Sequence, residues 1–226
     1  MTEKKIAILT SARLSSQRLP LKMVKEFCGT TLFDIACEKL EKCDLSEHAF
    51  VSLYDDDLKQ IAKRYNVKIY NRSYESAHSD GPIEVIWDWH KFLQELGYDY
   101  YIMINSCLPM LSLGTINKFI AEFQKSPNDG LFAVKSVRDY LWHQDGTLLY
   151  PPTSPPIMNT KVAPPYYQAL HALYGGSLLD LKNGKQMGDF TKGSPELMAF
   201  DDKLEFLDID DQADWTIAES VYGSQN

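Results

Sequence analysis

Five short apolar runs, separated by segments of helical periodicity, constrain this chain more than any other feature. Lys5-Ile-Ala-Ile-Leu9 is apolar almost throughout, as a strand buried on both faces of a parallel sheet must be. Residues 49–53, 67–70, 98–104 and 130–137 read as further strands. Between them, 31–42 places Leu32, Ile35, Ala36 and Leu40 on one helical face, and 55–65 turns Leu58, Ile61 and Ala62 inward. A helix capped by Ser79 or Asp80, with Pro82 in its first turn, is expected to run to about Leu96, and another over 114–123. Such alternation predicts an α/β chain with a mostly parallel sheet and helices on both faces. All 226 residues read as one domain.

The alternation breaks between about 140 and 165. Tyr150-Pro-Pro-Thr-Ser-Pro-Pro156 and Pro164-Pro165 fit neither a helix interior nor a central strand. Residues 140–175 therefore read as an arm or lid leaving the sheet, with strand pattern resuming at 170–174. Lys203-Leu-Glu-Phe-Leu207 reads as a last short strand, and Asp211 as the cap of a closing helix.

Charge narrows the partners. With 23 basic and 31 acidic residues the net charge is −8, which argues against a nucleic-acid groove. No apolar run approaches the length of a membrane span, and no signal-peptide core follows the first residues, so a cytoplasmic location is expected. Cys28, Cys37, Cys43 and Cys107 have neither zinc-finger nor disulfide-framework spacing.

Against this acidic background, the loop after the first strand gathers Arg13, Arg18 and Lys22 with Ser11, Ser15 and Ser16. Ligands of open α/β sheets bind beyond the carboxyl ends of the strands, where this loop lies. Guanidinium forks and hydroxyls match phosphate oxygens. At the other end of the chain, Asp208 and Asp210 stand two apart, so a strand would present both carboxylates from one face. Hard oxygen donors in that arrangement suit Mg²⁺ shared with substrate phosphates.

Ser11-Ala-Arg13-x-x-Ser16-x-Arg18-Leu-Pro20-x-Lys22 resembles the signature loop of the sugar-nucleotide cytidylyltransferases. These include the synthetases of CMP-sialic acids, nonulosonic acids and CMP-Kdo, and spore-coat polysaccharide relatives. Gly29-Thr-Thr-Leu, the strand ending in Asn105-Ser-Cys-Leu-Pro109, Tyr167 to Tyr174, and Leu207-Asp-Ile-Asp210-x-x-x-Asp214-Trp resemble later family motifs in order. Where the family usually has glycine, this chain has Ser15 and Leu21, and Leu170-His171 replaces an Asn-Gly pair.

The resemblance implies a Rossmann-like nucleotidyltransferase fold and a homodimer joined through the proline-rich arm. It implies transfer of CMP from CTP to a sugar acid, releasing pyrophosphate, for surface glycan synthesis. Arg13, Ser16, Arg18 and Lys22 would hold the triphosphate, and Arg72 and Ser79 the base and ribose. Asn105 and Tyr174 would face the sugar, and Asp208 and Asp210 would bind Mg²⁺. Arg13, Lys22 and Asp210 would carry the catalysis. A nucleotidyltransferase for another sugar or base, or a non-catalytic binding protein of the same fold, remains compatible with these residues.

Overall fold

β1 (Ile6–Ala12) is buried at six of its seven positions, which is what its apolar run demands. The computed structural model describes residues 4–149, 160–162, 165–185 and 195–224. The strand's side chains divide alternately between two cores. Ile6 and Ile8 pack with Leu32, Phe33 and Leu40 of α1 (Leu32–Lys42) and Leu58 and Ala62 of α2 (Asp56–Ala62). The same core takes Phe119 and Phe123 of α6 (Leu113–Lys125) and Trp215 and Ala218 of α8 (Gln212–Gly223). Ala7 and Leu9 pack on the other face with Trp89 and Leu93 of α5 (Trp89–Glu95) and Leu178 and Leu181 of α7 (Leu178–Lys182). Each large apolar side chain so buried contributes roughly 1.5–3 kcal/mol.

β1 pairs in parallel with β4 (Ala49–Leu53) and β6 (Tyr100–Ile104), and β4 with β5 (Lys68–Asn71). β8 (Tyr166–Ser177) is antiparallel to both β6 and β7 (Gly130–Val137), and β9 (Glu196–Ala199) returns parallel to β7. The sheet order is β5-β4-β1-β6-β8-β7-β9. β2 (Glu26–Phe27) and β3 (Thr30–Thr31) form a separate small hairpin before α1. The expected mostly parallel α/β sheet with helices on both faces is what the chain forms. β8 passes close under two rings. A Cβ on Gly175 would stand 2.8 Å from Phe123, and one on Gly176 2.7 Å from the Tyr101 hydroxyl.

From β1 the chain builds outward through β4 and β5, then returns to the far side of β1 as β6. The strand order therefore reverses between β1 and β6. A crevice opens at such a switch point, beyond the carboxyl ends of the two strands.

Two expected elements differ. The single helix expected over 79–96 is instead two, α4 (Ile83–Ile86) and α5, preceded by a further short helix, α3 (Tyr74–His78). Ser79 closes α3 rather than capping a following helix, and Pro82 takes the cap position of α4. The break after Ile86 has a clear cause. Its carbonyl accepts from Ser76 Oγ at 2.6 Å and from Arg72 at 3.1 Å, while the His90 amide turns to Trp87 O at 3.1 Å.

Residues 203–206 are a turn, not a strand. Asp202 Oδ1 accepts from the amides of Leu204 and Glu205 at 2.9 and 3.1 Å, which curls the backbone. β9 is instead the strand closest to the C-terminus. Asp211 does cap α8, in a reciprocal box with Asp214. Within the excursion, Trp142 and Leu148 pair across a short hairpin. The proline run at 150–156 and Pro164 lie outside the described residues.

Candidate active site

The crevice at the switch point has a volume of about 580 Å³. Arg13, Ser16, Arg18, Lys22, Arg72, Ser79, Asn105 and Tyr174 all line it, so residues dispersed over 162 positions of sequence meet there. A larger depression, about 960 Å³, lies at the opposite end of β1 and β6 around Lys4, Tyr98 and Ser126. Two lysines border it, of which Lys4 is occupied, donating to Phe123 O and Asn128 O at 3.0 and 2.7 Å, whereas Arg13, Arg18, Lys22 and Arg72 line the smaller cleft. The chemistry therefore points to the smaller cleft.

The loop after β1 is folded rather than slack. Leu19 and Met23 are buried in the core, and Leu14 N donates to Asp55 Oδ2 at 3.1 Å. Leu21 has a left-handed backbone, φ 59°, while its side chain is exposed. Its carbonyl accepts from Val24 N and Lys25 N, both at 3.0 Å, so the tight turn needs this conformation. A side chain with a Cβ is strained there by about 1–2 kcal/mol. Leu21→Gly is expected to raise the melting temperature by about 1–4 °C after glycine's own entropic cost. A fall on thermal denaturation would show that the turn is not strained.

The cations of the loop reach different partners. Arg13 donates to Ala77 O at 3.2 Å and meets Asp80 at 3.4 Å, tying the loop to the end of α3. Arg18 pairs with Asp210 Oδ1 at 2.7 Å. Lys22 is 9% exposed; its Nζ donates to Ile209 O at 2.5 Å and lies 3.7 Å from Asp210.

Residues 208–210 carry the two carboxylates outside any strand. They are held extended by the fully buried Ile209, whose amide donates to Cys107 O at 3.0 Å. Asp208 Oδ2 accepts from Asn105 Nδ2 at 2.9 Å, whereas its Oδ1 is buried and has no hydrogen-bond partner. Burial first, and then the charge of Asp210, push the Asp208 carboxyl above the ordinary carboxylate range. A bare buried carboxylate oxygen beside a second carboxylate is a fit for a hard cation. Among the described residues no group of three or more His, Cys, Asp or Glu converges, so substrate oxygens would have to complete such a site.

Three of the expected site residues that line the cleft are also bonded or stacked within the protein. Arg72 is 7% exposed, and its guanidinium donates to Ser76 Oγ and Ser76 O at 2.8 and 2.7 Å as well as to Ile86 O. It shapes the cleft wall by tying α3 to α4 there. Asn105 accepts from Cys107 N and donates to both Asp208 and His171 O, so it positions the carboxylate. Tyr174 borders the cleft with its ring stacked between Trp87 and Phe132, at 5.5 and 5.4 Å.

Sequence reasoning did not single out Trp87 or Asp80 for the cleft, and it took Ser11 only as one hydroxyl of the first loop. Ser11 carries a buried hydroxyl without a partner at the carboxyl end of β1. Its place beside Arg13 in the first loop was the available signal.

The loop bearing Asn105 is anchored from behind by Lys39 of α1, whose Nζ donates to Leu108 O and Pro109 O at 2.7 and 2.8 Å. Burial pushes this amine down to about 7, against the opposing charges of Glu205 and Glu38. Between about pH 7 and 10.5 the unfolded chain therefore binds the proton that the folded one has lost. Stability is expected to rise with pH across that window through this group, and Lys39→Met should flatten the rise. Urea denaturation at a series of pH values checks it; an unchanged pH slope in the variant would refute the assignment.

Comparison with known proteins bears on the family and the fold. The sequence matches the cytidylyltransferase family over residues 7–155. No curated protein matches it significantly. In fold, it is similar to a CMP:2-keto-3-deoxy-manno-octonic acid synthetase solved with CTP, at 13% identity and a TM-score of 0.70, over 99% of this chain and 100% of that one. It is also similar to a cytidylyltransferase from Leptospira borgpetersenii serovar Hardjo-bovis, at 15% identity and a TM-score of 0.61, over 95% and 85%. A third is the 4-diphosphocytidyl-2C-methyl-D-erythritol synthase of Anaerococcus prevotii, at 15% identity and a TM-score of 0.68, over 97% and 98%. At these identities the likeness is one of fold. With a family match spanning well over half of its length and a cationic loop facing paired carboxylates at the switch point, the chain belongs to the cytidylyltransferase family and is a nucleotidyltransferase.

Proposed function

We propose that this enzyme transfers CMP from CTP to a hydroxyl of a sugar acid of the sialic, nonulosonic or Kdo type, releasing pyrophosphate. The observation that carries the reading is the meeting of Arg18 and Lys22 with Asp210 at one end of the cleft. The acceptor oxygen forms a bond to the α-phosphorus of CTP, the bond to the β-phosphate bridge breaks, and the hydroxyl proton is released. Such transfers depend on positioning and on stabilising charge. Arg13, Ser16, Arg18 and Lys22 receive the triphosphate, with Arg18 exchanging its carboxylate partner for phosphate. Ser79 and the Ser11 hydroxyl border the nucleoside end, over a wall shaped by Arg72. Asn105 holds Asp208 in place.

Asp208 and Asp210 would hold Mg²⁺, which when bound supplies neutralisation of α-phosphate and leaving-group charge. The partnerless Asp208 Oδ1 supports this. Exposed Leu141, Trp142 and Leu149, around the hairpin that opens the excursion, support a homodimer. No helix among the described residues is long and apolar enough to cross a membrane, which fits an enzyme acting on dissolved CTP.

The test is pyrophosphate release from CTP with Mg²⁺ across sialic, nonulosonic and 2-keto-3-deoxy sugar acids, on protein whose mass is read by light scattering. Release with one or more of the acids, by a protein of twice the chain mass, is expected. CTP binding without release for any acid would overturn the sugar-acid reading, and a mass of one chain the dimer.

A further inference from the structure

The acceptor side of the cleft holds a histidine that two separate departures from regular structure deliver there. β7 and β8 pair Phe132 with Tyr174 and Val134 with Ala169, so four residues of β8 face the single residue Ala133. The extra length bulges out of the sheet, and bulges re-aim side chains. Within it His171 has φ 50°, a left-handed conformation uncommon for a residue with a Cβ. The neighbours do not share this exposure: Ala172 and Leu173 are fully buried, and β8 pairs normally with β6 at Leu173.

The result is an exposed imidazole lining the cleft, edge-on to Phe132 at 5.9 Å. Its backbone is pinned there, because His171 O accepts from the Asn105 amide that also holds Asp208. The distribution of charge gives this a meaning. The cleft-lining arginines and lysine, Arg13, Arg18, Lys22 and Arg72, all come from the loop after β1 and the end of β5. Among the described lining residues contributed by β6, β8 and the loop after β6, His171 is the sole basic side chain. Asn105 and Tyr174 there are already committed, one to Asp208 and the other to its ring stack.

We propose that His171 is the specificity-determining contact for the acceptor, its imidazole N–H donating a hydrogen bond to the acceptor's carboxylate. This rests on the sugar-acid reading above. The bulge and the left-handed turn place the donor on the side of the paired carboxylates opposite the triphosphate loop, where an acceptor must lie to present its hydroxyl to the α-phosphorus.

The test compares His171→Asn and His171→Gly with wild type. Loss of a hydrogen bond to a charged group predicts an acceptor KM raised about 10- to 100-fold, with the KM for CTP unchanged. His171→Gly should also melt higher, since glycine relieves the left-handed turn. A histidine serving structure alone would give that higher melting point with an unchanged acceptor KM. The methyl ester of the sugar acid should lose the same factor with wild type and nothing further with the variants. An unchanged acceptor KM in both variants overturns the inference. Absence of wild-type turnover with every sugar acid overturns instead the reading beneath it. In that event the His171 ring protons decide: a shift on adding 2-keto-3-deoxy-manno-octonic acid to the CTP-loaded protein upholds the contact, and no shift refutes it.

Discussion

Asp210→Asn is expected to lower pyrophosphate release by about 10²- to 10³-fold, the scale set by removing one charge-stabilising group from an active site. The replacement keeps the side chain's shape and removes its charge. Asp210 pairs with Arg18 at 2.7 Å, but the two side chains are 39% and 67% exposed. An ion pair so open to water contributes at most about 1 kcal/mol, so the melting temperature should move little. The loss should therefore fall on kcat and leave the fold intact. Steady-state kinetics at saturating CTP, alongside a thermal melt, separate the two. Turnover near wild type at ordinary Mg²⁺ would remove Asp210 from the proposed metal site.

Lys22→Met should do more damage, because it strikes both chemistry and fold. The Lys22 side chain is only 11% exposed, and its amine holds the Ile209 carbonyl while facing Asp210. Methionine fills the same volume without a donor, so a buried carbonyl loses its partner. The expected cost is about 1–3 kcal/mol in urea denaturation. Activity should fall about 10²-fold or more, through the lost phosphate contact and the freed position of residues 208–210. Lys22→Arg should not rescue it, since a planar fork does not fit a pocket shaped for a point donor. Wild-type stability in Lys22→Met would show that the loop holds the carboxylate segment by other means.

The regular parts of the fold were legible because local pattern and burial agree there. Ile6, Ala7, Ile8 and Leu9 are apolar and buried without exception, and Leu32, Ile35, Ala36 and Leu40 form the buried face of α1 as their spacing implies. Legibility fails where a distant group captures a backbone atom. Nothing near Ile86 signals that Ser76 and Arg72 will take its carbonyl and divide one helix from the next. Asp202, by folding two amides onto itself, undoes the apolar alternation at 203–207. The antiparallel course of β8 was equally hidden, since an apolar run carries no direction.

The candidate site shows the same division. The charged residues that were read from type and spacing do line the cleft or join it through Asp210. Their division of labour was not readable. Arg72 and Asn105 bond to protein groups that lie from 2 to 103 residues away. Trp87 reads as an ordinary helix residue until Tyr174 is found stacked on it.

The bond from Lys22 to Ile209 spans 187 residues. During synthesis the cationic loop and its strand leave the ribosome well before the carboxylate segment that they meet. Contacts of such separation form late, after loop-closure entropy has been overcome. The parallel strands β1, β4, β5 and β6 can thus assemble before residues 208–210 dock. On the proposed reading, the site is complete only when residues 208–210 dock across the loop. Removal of the chain from residue 208 onward would take α8 with it, stripping Trp215 and Ala218 from the core together with the carboxylates that face the loop.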